Sequence, residues 1–217
     1  MNDYIKYPRT YHLPFSGGAT DDDKTLTTQE LYASPLAECE VVVTLKMDGE
    51  ATSIYRDHCH ARSLDSRHHP SRNWVKRVQG QIGYRIPEGW RVCGENCYAH
   101  HSIFYKDLPD YFLVYSIWDE NNEALSWDDT VDLCEEWDLH HVPVLYEGPF
   151  DEEYLRNLAD DLDPETQEGY VVRVAESFHY DDFGSCVAKY VSSEFKEMLN
   201  DSDEHWMHKE VVPNQLK

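Results

Sequence analysis

The chain has 217 residues, with 42 acidic against 19 basic side chains and a formal net charge of −23. This length can carry a substantial core, and this charge excludes a surface coated all round with basic groups for nucleic acid. No apolar run approaches the length of a membrane span, and Met1–Lys6 lacks the apolar centre of a secretory leader, so a cytoplasmic protein without a membrane partner is expected.

Residues 1–38 read as irregular, because Pro8, Pro14, Gly17-Gly18 and Asp21-Asp22-Asp23 are breakers or loop formers. Strands are predicted near 40–46, 50–56 and 59–63. Pro70 opens a helix through about Gln81, with Trp74, Val78 and Ile82 on one stripe. Residues 89–95 and 111–118 read as strands. Ser126 and Asp129 form a capping box for a helix to Trp137, with Trp127, Val131 and Cys134 as its apolar stripe. A strand at 142–147, a helix over 151–162 capped by Asp151, and strands near 168–175 and 185–191 follow. Ser192 starts a short helix to about Leu199, and a largely polar tail ends the chain. With no repeat and no linker, the pattern predicts one α+β domain over 1–217, built of largely antiparallel sheets flanked by helices.

The six cysteines (Cys39, Cys59, Cys93, Cys97, Cys134 and Cys186) fall mostly within apolar strand or helix patterns, which reads as buried free thiols. Cys93 and Cys97, with His100 and His101 nearby, do not have a usual zinc spacing. Charge is uneven. From Arg56 to Arg91 there are eight basic residues against three acidic ones, with His58, His60, His68 and His69 in the same stretch. Such a local basic face suits a polyanion held in one place, or else is a solvated helix face.

Lys46-Met47-Asp48-Gly49 follows the β-branched run Glu40–Leu45 and precedes the alternating run Ala51–Arg56. A lysine is thus delivered at a strand end, at the mouth of a tight turn. An amine there can be desolvated into a nucleophile; the plain alternative is a hairpin with an exposed lysine. Five further segments belong with it: Arg62-Ser63; Arg91–Asn96, a strand ending in Gly94-Glu95; the aromatic strand Tyr111–Trp118; Glu168–Arg173, a strand that begins with an acid; and Val187-Ala188-Lys189-Tyr190, a strand with a lone lysine.

In that order and spacing these segments resemble the covalent nucleotidyltransferases: RNA ligases, DNA ligases and mRNA capping enzymes. The continuation Glu50-Ala51-Thr52-Ser53 and the opening Lys6–Pro14 are similar to small stand-alone RNA ligases, whereas DNA ligases and capping enzymes usually have arginine where Ala51 stands. The resemblance implies an adenylyltransferase domain without an OB-fold. It implies an ATP-dependent RNA ligase that joins 5′-phosphate and 3′-hydroxyl RNA ends through lysyl-AMP and an adenylated RNA end, in RNA repair. It also implies Mg²⁺ or Mn²⁺ as cofactor and a possible protein partner that adds RNA binding.

The resemblance makes Lys46 the nucleophile, with Asp48 orienting its loop and Leu45 bordering the nucleotide. Glu168 holds the metal, and Glu95 supports it or contacts the ribose. Lys189 neutralises the α-phosphate, Arg62 touches phosphate at the reacting end, Tyr115 stacks on adenine, and Arg173 is a further phosphate candidate. The family often has a second lysine in its last motif; Val191 stands there, so Lys6, Arg9 or Lys196 is expected to compensate. His68, His69 and Arg72 are candidates for RNA phosphate. The alternatives are a small DNA ligase, an RNA-end adenylating enzyme, or a non-catalytic nucleotide- or RNA-binding module on the same fold.

Overall fold

The computed structural model describes residues 4–65, 67–200 and 211–217. The fold is α+β, as the sequence predicts, and the chain divides into two compact units. One comprises Arg9–Met47 and Pro143–Lys209; the other comprises Met1–Pro8, Asp48–Val142 and Glu210–Lys217.

The first unit is built on a five-stranded sheet in the order Tyr11–His12, Val187–Val191, Gly169–Val174, Glu40–Leu45 and Val144–Pro149. All pairs are antiparallel except the first, in which Tyr11–His12 runs parallel to Val187–Val191. Val41, Val42 and Val43 are all buried, which explains a continuous rather than an alternating β-branched run in the Glu40–Leu45 strand. The helix Glu152–Asp160 is capped where expected, since Asp151 accepts from the Tyr154 N–H. It buries Leu155, whose carbonyl accepts from the Tyr170 hydroxyl at 2.8 Å.

Two expectations need correction here. Residues 1–38 are not irregular throughout: they hold the Tyr11–His12 strand and the short helices Thr28–Tyr32 and Pro35–Glu38. Thr27 and Glu30 form a full capping box at the first of these helices. The last strand begins at Val187 rather than 185, because Phe183–Cys186 makes a helical turn before it.

The second unit carries a sheet with the order Glu123–Ala124, Phe112–Trp118, Arg91–Asn96, Glu50–Ile54 and Cys59–Ala61. His140–His141 pairs parallel with Phe112–Trp118. One face of this sheet buries Ile54, Val92, Phe112, Val114 and Ile117 against Val75, Val78 and Ile82 of the helix Asn73–Ile82, and Cys134 and Trp137 of the helix Trp127–Trp137. Pro70 opens a 3₁₀ turn over Pro70–Arg72, and the α-helix starts only at Asn73. Ser126 caps the second helix by accepting from the Asp129 N–H, and Asp138 ends it in the left-handed conformation at φ 59°.

The six cysteines are free; Cys93, Cys97, Cys134 and Cys186 are buried. Among the described residues no OB-fold follows the last strand, and no helix is long and apolar enough to cross a membrane.

Candidate active site

In the first unit the backbone holds Lys46 and Glu168 together. The Lys46 N–H donates to the Gly169 carbonyl at 2.9 Å, and the Ser192 N–H donates to the Glu168 carbonyl at 3.1 Å. Gly169 permits this approach: a Cβ there would lie 2.0 Å from the Tyr190 carbonyl oxygen. The Lys46 ammonium donates to Glu168 Oε2 at 2.5 Å, with the two side chains only 24% and 11% exposed. The lysine therefore does not stand in open solvent.

The strand register brings Lys189 to the same site. Lys189 lies across from Val171, and Val171 from Thr44, so Lys189 projects from the sheet face that carries Thr44. Its amine titrates below the ordinary lysine range, first because it is buried and next because Lys46 repels it; Asp23 and Glu168 oppose this, and Lys196 adds to it. Asp23 Oδ1 stands 3.9 Å from Lys189 Nζ. His12, in register with Lys189 on the neighbouring strand, is pushed down to about 4 by burial and then by Lys189, so its ring is neutral. Three ammonium groups, Lys46, Lys189 and Lys196, thus share one region with two carboxylates, Glu168 and Asp23, in a chain that is otherwise strongly acidic. This is an arrangement suited to an anion.

A divalent ion fits Glu168 in a limited way. Among the described residues no three His, Cys, Asp or Glu side chains converge as a cage. One buried carboxylate suits a hard cation that keeps waters and takes its other ligands from phosphate, as Mg²⁺ does.

Leu45 is half-buried and lies across from Tyr170. Arg173 is on the same sheet face as Lys189 but is buried; its Nε donates to the Val174 carbonyl, and its guanidinium lies over the Phe178 ring at 5.3 Å.

The second unit holds the other candidates. Asp48 Oδ2 accepts from the N–H groups of Ser102 at 2.7 Å and Ile103 at 2.8 Å, while its own N–H donates to the Tyr105 hydroxyl. The carboxylate thus pins the turn to the 102–105 segment. Glu95 lies across from Ala51 and Leu113, off the face that packs on the helices. The Tyr115 phenol is pushed far up by burial, then by Tyr7, Glu95 and Cys93, with Arg62 opposing, so Glu95 and Arg62 both act electrostatically on it. The Tyr7 ring meets Tyr115 edge-on at 5.0 Å, and the Tyr115 hydroxyl is buried with no hydrogen-bond partner among the described residues.

Arg72 is engaged within the unit: its guanidinium forms a two-pronged pair with Glu50, with Nε 2.7 Å from Oε2. His69 caps the 3₁₀ turn that precedes the helix, and His68 Nδ1 lies 2.7 Å from Lys76 Nζ. Sequence reasoning missed His12 and Asp23. No local pattern marks them, because both gain their place from a pairing with a strand some 170 residues later.

The fold is that of a ligase nucleotidyltransferase domain. The family model for RNA ligase matches residues 39–191, and the chain belongs to that family. Among solved structures, a Naegleria gruberi RNA ligase with PPi is similar at 20% identity and TM-score 0.61, covering 92% of this chain and 64% of that one. An archaeal ATP-dependent RNA ligase is similar at 17% identity and TM-score 0.58, covering 88% of this chain and 49% of the other. A putative ATP-dependent DNA ligase from Aquifex aeolicus is similar at 20% identity and TM-score 0.57, covering 94% of this chain and 56% of that one. At these identities the likeness is one of fold, and this chain spans less than two thirds of each of the three. A search of curated proteins found no match.

Proposed function

We propose that this chain is an ATP-dependent RNA ligase that seals a 5′-phosphate to a 3′-hydroxyl through lysyl-AMP, in RNA repair. The observation that carries the reading is the Lys46–Glu168 contact at 2.5 Å beside Lys189, within a domain of the RNA ligase family.

In the first step the free amine of Lys46 attacks the α-phosphorus of ATP. An N–P bond forms, the α–β phosphoanhydride bond breaks, and pyrophosphate leaves. The ion pair with Glu168 holds Lys46 as an ammonium, so attack requires the proton to go and the carboxylate to be otherwise engaged. Glu168 is the residue that would hold Mg²⁺ or Mn²⁺, with Glu95 as a second acid; when bound, the ion supplies neutralisation of phosphate charge. Lys189 adds a fixed positive charge for the transferred phosphate. AMP then passes to the 5′-phosphate of RNA, and a 3′-hydroxyl displaces it. Tyr115 and Leu45 would contact the nucleotide, and Asp48 would keep the turn after Lys46 rigid. Arg173, held over Phe178, would act on phosphate only through its backing of the strand.

Lys196 is the residue we assign to the place of the family's second lysine, because it acts electrostatically on both His12 and Lys189. The basic excess of the segment 56–91, eight basic against three acidic residues, is not needed for that step; the exposed Arg67, Lys76 and Arg77 would instead meet the RNA backbone.

Incubation with each labelled nucleoside triphosphate and Mg²⁺ should place a base-stable, acid-labile AMP on the protein from ATP alone. The labelled protein should then seal nicked or single-stranded RNA better than DNA. A protein that takes no label refutes the reading; one that seals only DNA points to a DNA ligase. Arg62→Ala should slow sealing about tenfold or more while sparing self-labelling, since it removes a charge-assisted contact to the RNA end. An equal loss in both assays would make Arg62 a general phosphate binder.

A further inference from the structure

The N-terminal segment reaches Lys189 through a chain of named contacts. Leu13 N–H donates to the Lys189 carbonyl at 2.8 Å, and Gly18 N–H to the Val191 carbonyl at 2.8 Å. Gly18 is needed there, because a Cβ would lie 2.7 Å from Val191 Cγ1. Ser16 Oγ accepts from the Val191 N–H at 3.0 Å and lies 2.7 Å from His12 Nδ1. The opposite ring nitrogen, His12 Nε2, is buried with no hydrogen-bond partner among the described residues and faces Asp23 Oδ2 at 3.6 Å. Thr20 holds that same oxygen through both its N–H and its hydroxyl. The other carboxylate oxygen, Oδ1, is the one that faces Lys189 Nζ at 3.9 Å.

Two features make this more than packing. His12 is only 1% exposed, and a neutral ring there takes no share of the Asp23 charge. Asp23 is held from one side by Thr20, so its free edge is directed at the lysine. The segment 13–25 returns along the strand edge, with His12 N–H donating to the Lys24 carbonyl and Leu26 N–H to the His12 carbonyl, both at 2.8 Å. The carboxylate is thereby carried by a loop anchored at both ends on the strand edge beside Lys189.

We propose that Asp23, braced by Thr20, is a positioning residue that orients the Lys189 ammonium toward the phosphate transferred to Lys46. This rests on the lysyl-AMP reading above. Asp23 makes no contact with substrate in this scheme. It acts through Lys189, whose charge must lie where negative charge gathers during transfer, and a small misplacement of that charge slows the step while leaving ground-state binding of ATP largely intact.

The test is single-turnover labelling of the full chain with ATP. Asp23→Asn, which keeps the shape and removes the charge, should lower the rate at saturating ATP about tenfold, with the apparent ATP affinity changed less than about twofold. Asp23→Glu should recover most of the rate. In a Lys189→Ala background, Asp23→Asn should have no further effect, because its only route of action is gone. Thermal melting of each variant separates a folding defect from a catalytic one. A normal rate in folded Asp23→Asn, or a full additional loss in the Lys189→Ala background, overturns the proposal while the lysyl-AMP reading stands. A wild-type protein that takes no label from ATP removes both.

Discussion

Lys46→Ala should take no AMP label from ATP, a loss of at least about a thousandfold, because Lys46 is the amine at the strand end in contact with Glu168. The fold should survive. The Lys46 side chain is 24% exposed, and the backbone bond from its N–H to the Gly169 carbonyl is unchanged by the substitution. Melting and labelling together therefore make the assay clean. A chemically adenylated RNA end offers a sharper second measurement: Lys46→Ala should still seal it, since that step no longer uses the amine. A labelled alanine variant would move the nucleophile elsewhere, and Lys189, the neighbouring buried amine, would be the first place to look.

Glu168→Ala should lower labelling about a hundredfold or more and abolish its response to added Mg²⁺ or Mn²⁺. The physical case has two parts. Glu168 is buried at the head of a strand, where a carboxylate is costly unless paired, and its partner is the Lys46 ammonium. Removing it frees the amine from an ion pair, which by itself would favour attack, but also removes the carboxylate in contact with the lysine that would hold a hard cation. The second effect should win, because phosphoryl transfer depends on neutralising charge at the phosphate more than on the availability of one amine. Glu168→Gln separates the two contributions, as it keeps the size and hydrogen bonding and loses the charge. Undiminished, metal-responsive labelling by Glu168→Ala would take this residue out of the site.

Much of the sheet structure was legible in the sequence, because hydrophobic alternation and turn residues act locally. The run Glu40–Leu45, the Asp48-Gly49 turn and the capping residues Ser126 and Asp151 all behave as their chemistry predicts. Lys46, Glu168 and Lys189 stand out in the sequence as an ordered set, and the structure places Lys46 against Glu168 with Lys189 in their electrostatic reach. What was not legible is non-local. The Tyr11–His12 strand is two residues long, too short to leave a period, and forms only because the Val187–Val191 strand offers it an edge. His12 and Asp23 became visible with that pairing. Arg72 carried the right charge for phosphate, yet its guanidinium pairs with Glu50, a residue of the Glu50–Ile54 strand that composition cannot place beside it.

The ion pair at the strand end also bears on chemical durability. An ammonium has no lone pair, so a lysine kept in that form is inert to aldehydes, acyl thioesters and other electrophiles that would otherwise cap a strongly nucleophilic amine. If Lys46 is the nucleophile proposed above, Glu168 safeguards the reactive nitrogen in the resting protein, and exposure to such reagents becomes a hazard chiefly while the carboxylate is turned to another task.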